Sequence, residues 1–178
     1  MFFYYNFELN KVSKLTDMNK SKYYAACTVF EGKIVVTGGK KYLPLNHAYI
    51  SVEAYDDYEN KWTYLPNMIR KRRLHASVSM GNKLFVIGGN ITKSCEVFDS
   101  FTRKFTLIKA KTPNYENNWL TQFQAVSKSN FILFISENKN SNDTSMFIYN
   151  VQKSQWSEKK LSVLNKLTDV SCAKYCTD

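Results

Sequence analysis

The sequence predicts an all-β protein built from a repeated four-stranded unit, and three observations carry that expectation. The 178 residues include 12 Tyr and 12 Phe among many Val, Ile and Thr, with only three Pro and six Gly. That composition favours strands and supplies enough apolar material for a sizeable core. A second signal is a motif that occurs four times. An aromatic is followed by Asp or Asn, a short polar turn, and a bulky apolar residue seven positions after the aromatic. The copies are Tyr5-Asn6 to Val12, Tyr55-Asp56 to Trp62, Phe98-Asp99 to Phe105 and Tyr149-Asn150 to Trp156. Their apolar ends stand 50, 43 and 51 residues apart, the spacing of a repeat architecture. The third signal lies between them: Ala25 to Gly38-Gly39 matches His75 to Gly88-Gly89, each copy two short apolar runs around a polar turn.

The elements follow in order. The turns Glu31-Gly32-Lys33 and Gly81-Asn82-Lys83 are hairpin chemistry, so each unit opens with an a–b hairpin. The first complete unit has strands near 25–30 (a), 33–38 (b), 50–56 (c) and 61–65 (d). The second has them near 75–80, 83–88, 94–99 and 103–107. A weaker third copy, with Ser136-Glu137 where Gly-Gly is expected, has them near 122–127, 131–136, 145–150 and 154–158. Residues 1–15 supply strands c and d of an earlier unit, and Thr168–Lys174 reads as strand a of a later one. The chain therefore divides into 1–15, a blade at 16–65, another at 66–108, a degenerate blade at 109–160, and a further start at 161–178. The double glycines let strand b pass close to its neighbours. Tyr55, Phe98 and Tyr149 with Trp62, Phe105 and Trp156 supply the area that packs blade on blade. Asn6, Asp56, Asp99 and Asn150 are placed to bond the backbone of the c–d turns.

At these residues the sequence resembles the kelch repeat: the Gly-Gly, the Tyr-Asp and the Trp seven later. Leu65-Pro66-Asn67-Met68, Arg72, Arg73 and His75 also resemble the linker between kelch blades. The resemblance implies a kelch-type β-propeller. Such rings usually hold six blades, roughly 300 residues at about 50 each, so the chain is expected to be part of a longer propeller.

Catalysis finds little support. Only two histidines are present. His75 matches Ala25 in the preceding unit, and His47 lies in a long b–c loop. No phosphate-binding glycine loop, Ser-His-Asp arrangement or HExxH occurs. Cys172 and Cys176 form a lone C-x3-C without a second pair, so no metal site and no cofactor are expected. Glu53 and Glu96 precede the strand-c aromatics by two residues and are expected to pair with arginines or backbone groups between blades. No signal peptide and no membrane-length apolar run appear, which gives the expectation of a soluble, cytoplasmic chain with reduced thiols and no membrane partner.

Function is expected in the loops. By resemblance, kelch propellers bind partners with their d–a and b–c loops. The richest is Arg70-Lys71-Arg72-Arg73, with Lys40-Lys41-Tyr42 and the pair Tyr115 and Trp119 as companions. Arginines and aromatics at a loop mouth suit an acidic peptide. Arg72 and Arg73 also fit a second reading, as residues that link blades. The formal net charge of +10 agrees with an acidic partner, whereas nucleic acid is disfavoured because the basic residues form no run interleaved with aromatics. Tyr24-Ala25-Ala26-Cys27 and Val36-Thr37-Gly38-Gly39 resemble the kelch-like subfamily. There a BTB and a BACK domain precede the propeller and recruit a cullin. That resemblance implies the substrate-recognition part of a cullin-RING ubiquitin ligase adaptor. The alternative is an actin-binding kelch protein.

Overall fold

The structure, a computed structural model, describes residues 2–41, 47–110, 112, 124–138 and 143–161. Fourteen strands are described, in one two-stranded and three four-stranded antiparallel sheets. β1 (Phe2–Asn6) and β2 (Lys11–Leu15) form the hairpin of the earlier unit. The first blade is β3 (Ala26–Phe30), β4 (Lys33–Thr37), β5 (Val52–Asp56) and β6 (Lys61–Leu65). The second is β7 (Ala76–Met80), β8 (Lys83–Ile87), β9 (Cys95–Asp99) and β10 (Lys104–Ile108). The third is β11 (Gln124–Lys128), β12 (Phe131–Asn138), β13 (Asp143–Asn150) and β14 (Gln155–Leu161). Strand β3 packs beside β7, and β7 beside β11, so the a strands of successive blades adjoin. Tyr42, Tyr115, Trp119 and the strand expected at 168–174 lie outside the described residues.

Alternation along each strand decides which blade a side chain meets. In β8, Leu84 and Val86 join Val35, Val52 and Ala54 of the first blade, whereas Phe85 and Ile87 join Ile132, Phe134 and Phe147 of the third. Every seam is thus a two-sheet core. Trp62 is 6% exposed and packs with Val36 and Tyr55. Its indole N–H donates to the Thr16 carbonyl across the seam with the earlier unit. Trp156 stacks on Tyr149 at 4.9 Å but is only partly buried.

The c–d turns obey one rule. The Oδ1 of Asn6, Asp56, Asp99 and Asn150 accepts from the backbone N–H of Leu9, Glu59, Phe101 (and Thr102) and Lys153 in turn. Each turn ends on a residue with φ near +50°: Asn10, Asn60, Arg103 and Ser154.

The double glycines are also sites of close approach. A Cβ on Gly38 would lie 2.6 Å from the Arg72 carbonyl oxygen, and one on Gly89 2.9 Å from that of Arg73. Both dipeptides sit at positive φ and end strand b. The third blade differs from expectation here. With Ser136-Glu137 in place of Gly-Gly, β12 is not broken. It runs to Asn138 and pairs with β13 out to Asp143.

Candidate binding face

Antiparallel order puts the a–b and c–d turns on one side of every blade and the d–a linkers and b–c loops on the other. On the linker side, three chain segments are laced together. The Gly39 N–H donates to the Arg72 carbonyl, the Arg72 N–H to that of Tyr49, and the Tyr49 N–H to that of Gly39. Tyr23 and Lys40 exchange a reciprocal pair of backbone bonds. The two ends of the first blade's b–c loop, at Gly39-Lys40 and at Tyr49, are therefore tied to the linkers entering the first and second blades.

Beneath this surface lies a buried ion pair. Arg72 and Glu96 are both fully buried. Arg72 Nε and Nη2 donate to Glu96 Oε1 at 3.1 and 2.8 Å. Nη1 donates to the carbonyls of Gly88 and Ser94, and Nη2 also to Ser94 Oγ. The Glu96 carboxylate further accepts from the backbone N–H groups of Ile69 and Arg70. It fixes the linker as well as the arginine. Charge-assisted bonds of this kind make burial of both ions tolerable. The first blade repeats the device with a lysine. Lys22 Nζ stands 3.0 Å from Glu53 Oε1, and Glu53 Oε2 accepts from the Asn19 N–H. Burial pushes the Lys22 ammonium below its ordinary range, while the Glu53 carboxylate pulls it back up. Both glutamates thus pair as expected from the sequence. Lys22 was not singled out there, although it lies 16 residues before Gly38 as Arg72 lies 16 before Gly88.

That burial corrects the basic loop. Arg72 is wholly inside and Arg73 is 6% exposed, with its Nε donating to Asn90 Oδ1. Both belong to the blade linkage and not to the partner-facing set. Backbone direction is the reason: the linker turns inward at Arg72 to reach strand a, so only Arg70 and Lys71 point to solvent. Neither of those two has an ion-pair partner among the described residues. Lys41 is exposed as well, and Lys40 is half-buried with its Nζ 5.4 Å from the centre of the Tyr24 ring.

The structure adds residues to this face that the sequence reading missed. Lys20 Nζ lies 5.6 and 5.7 Å from the Tyr49 and Tyr64 ring centres, within cation–π reach. Tyr23, Tyr24, Tyr64 and Ile69 are all substantially exposed. These side chains come from separate segments, and only blade closure brings them together. The face is basic and aromatic, and it has the materials to grip a carboxylate-bearing segment.

His75 lies deeper and is not accessible. Its Nε2 is 2.7 Å from Thr37 Oγ1, which is 2.6 Å from Ser77 Oγ, a polar chain across the seam of the first and second blades. Burial and the nearby Arg72 and Lys22 charges hold the imidazole down at about 3. Among the described residues no group of three or more His, Cys, Asp or Glu is arranged to hold a metal ion. Among the described residues no helix is long and apolar enough to cross a membrane.

Known proteins agree with this architecture. The kelch motif model matches residues 21–69. A putative F-box/kelch-repeat protein of Arabidopsis thaliana is 33% identical over 96 residues, 49% of this chain and 25% of that protein. Kelch-like protein 26 of Danio rerio is 30% identical over 87 residues, covering 49% of this chain and 14% of its own length. Kelch-like protein 38 of the same species is 32% identical over 95 residues, 53% and 15%. The chain therefore matches a quarter or less of each of these relatives. The solved structure of YjhT superposes with a TM-score of 0.68 over 86% of this chain and 56% of that one, at 17% identity, a likeness of fold. Residues 21–69 thus carry a kelch motif, and the chain folds into four-stranded blades of a kelch-type β-propeller.

Proposed function

We propose that this propeller binds a protein partner through its linker-side face and serves as the substrate-recognition part of a kelch-like, cytoplasmic adaptor of a cullin-RING ubiquitin ligase. One observation carries the binding reading: Arg70 and Lys71 are exposed and without ion-pair partners among the described residues, on a loop whose backbone is pinned by the buried Glu96. A pre-ordered basic loop loses little freedom when it meets a carboxylate, which favours affinity. Half-exposed tyrosines beside it supply apolar contact at low entropic cost. The adaptor reading draws support from the kelch-like proteins among the relatives.

The test uses the full-length protein that carries these residues. A cullin that co-precipitates with it, together with a partner lost on Arg70→Ala/Lys71→Ala substitution, is the expected result. Co-sedimentation with filamentous actin and no cullin in the precipitate overturns the adaptor reading in favour of an actin-binding kelch protein.

A further inference from the structure

The seam between the second and third blades opens into a cleft of about 290 Å³, a size that suits a small ligand. Its apolar walls are Phe85, Val97 and Ile108 of the second blade and Tyr149 and Val151 of the third, and Lys83, Lys109 and Ser154 stand among them. The repeat shows what two of the polar groups have lost. Tyr5 and Tyr55 donate their hydroxyls to Asn10 and Asn60, the residues that end their c–d turns. Tyr149 holds the same place in the third blade, but Ser154 ends its turn. The Tyr149 hydroxyl has no partner among the described residues. Lys33 pairs with Asp56 at 2.7 Å in the first blade. Lys83 holds that place in the second, opposite Asp99, yet makes no ion pair among the described residues.

Topology gathers the unpartnered groups at one end. Lys83 begins β8 beside an a–b turn, and Ser154 lies in a c–d turn, on the same side of the blades. Ile108 stands opposite Cys95, four residues along β9 from the Asp99 that faces Lys83. At the rise of a strand, the apolar wall is therefore about 13 Å long. Lys109 is exposed at its other end, where the alkyl stem extends that wall. One ammonium and two hydroxyls at the end of an apolar trough match an anionic head on a slim apolar tail. A bare inorganic anion would leave the wall unmatched, and a hydrocarbon would leave the hydroxyls and the ammonium without an acceptor.

We propose that this cleft binds a medium-chain carboxylate, with the head held by Lys83 and the Tyr149 and Ser154 hydroxyls and the chain laid along Phe85, Val97 and Ile108. The site shares no residue with the linker-side face, so it stands independently of the partner-binding reading above.

Titration calorimetry of octanoate against the full-length protein that carries these residues tests it, with thermal melts alongside. Saturable binding of one octanoate per chain at millimolar concentration or below is expected, and octanol, which lacks the charge, should bind about tenfold more weakly or worse. Lys83→Gln should weaken octanoate about tenfold and leave the melting temperature close to wild type, since that side chain is exposed. Ser154→Asn rebuilds the turn-closing bond of the first blade. It should raise the melting temperature and, by engaging the Tyr149 hydroxyl, weaken octanoate several-fold. Val97→Phe, which fills the cleft, should abolish binding. Absence of octanoate binding, or binding at wild-type strength in both Lys83→Gln and Val97→Phe, overturns the proposal; the second result would place the ligand elsewhere on the protein.

Discussion

Arg72 and Lys22 do the same work with different chemistry. Arginine satisfies a carboxylate and two carbonyls at once through its fork of donors, whereas lysine offers a single charged point. In the second blade that fork also ties Gly88 and Ser94 to the linker. Arg72→Ala is expected to cost about 3–5 kcal/mol, because it strands a buried Glu96. Arg72→Lys should cost less, since the first blade shows a lysine accepted at that position. Denaturant midpoints of the two variants give the comparison, and equal losses would mean that the charge is not what matters. His75 gives a second residue-scale prediction. Its folded pKa, about 3, lies below its ordinary 6.5. The unfolded chain therefore binds the extra proton between those values, and stability must fall as pH drops from 6.5 toward 3. Linkage puts the loss between pH 7 and pH 5 at roughly 2 kcal/mol. The same denaturation run on His75→Gln should lack that part of the loss; an unchanged pH dependence would show that the imidazole is not the group responsible. The sequence made His75 legible as structural because Ala25 matches it. The Lys22 equivalence rested on the same alignment, but lysine at an arginine position hides the shared role.

At the scale of the element, the blade was largely legible because its signals are local. Hairpin turns, turn-capping Asp and Asn, and the paired aromatics each act within a few residues, and each appears where the sequence placed it. What the sequence left open was how far a strand runs once its terminating glycines are gone, and β12 through Asn138 answers that. The glycines themselves can be tested by a contrast. Gly32 and Gly38 both hold positive φ, but a Cβ on Gly32 meets nothing within 4 Å while one on Gly38 meets the Arg72 carbonyl and the His75 ring. Gly32→Ala should then cost only the backbone conformation, about 1 kcal/mol. Gly38→Ala adds a clash with backbone that cannot move aside, and should cost at least about 2 kcal/mol more. Thermal or urea denaturation of the pair decides between the two roles. Equal costs would reduce the double glycine to a turn requirement and remove its part in docking one blade on the next.

In the whole molecule, the propeller sorts its charges by depth and by face. The buried cations Lys22, Arg72 and Arg73 hold linkers in place, while Lys41, Arg70 and Lys71 remain at the surface. From sequence the run 70–73 reads as one basic patch, because a linear pattern does not show where the linker turns inward. Nor does it show Lys20, Tyr49 and Tyr64 meeting from three segments. The division makes a sharp prediction for the binding face. Charge-assisted contacts contribute about 1.5–3 kcal/mol each, so Arg70→Ala/Lys71→Ala in the full-length protein should weaken capture of an identified partner about tenfold or more. The melting temperature should stay close to wild type, since neither side chain has an ion-pair partner among the described residues. Arg73→Ala should behave in the opposite way, lowering the melting temperature through loss of its contact with Asn90. Titration calorimetry beside thermal melts separates these effects. If the Arg70/Lys71 variant binds as tightly as wild type, the loop is only a solvated edge of the linker, and recognition must lie with the tyrosines and Lys20 on the same face.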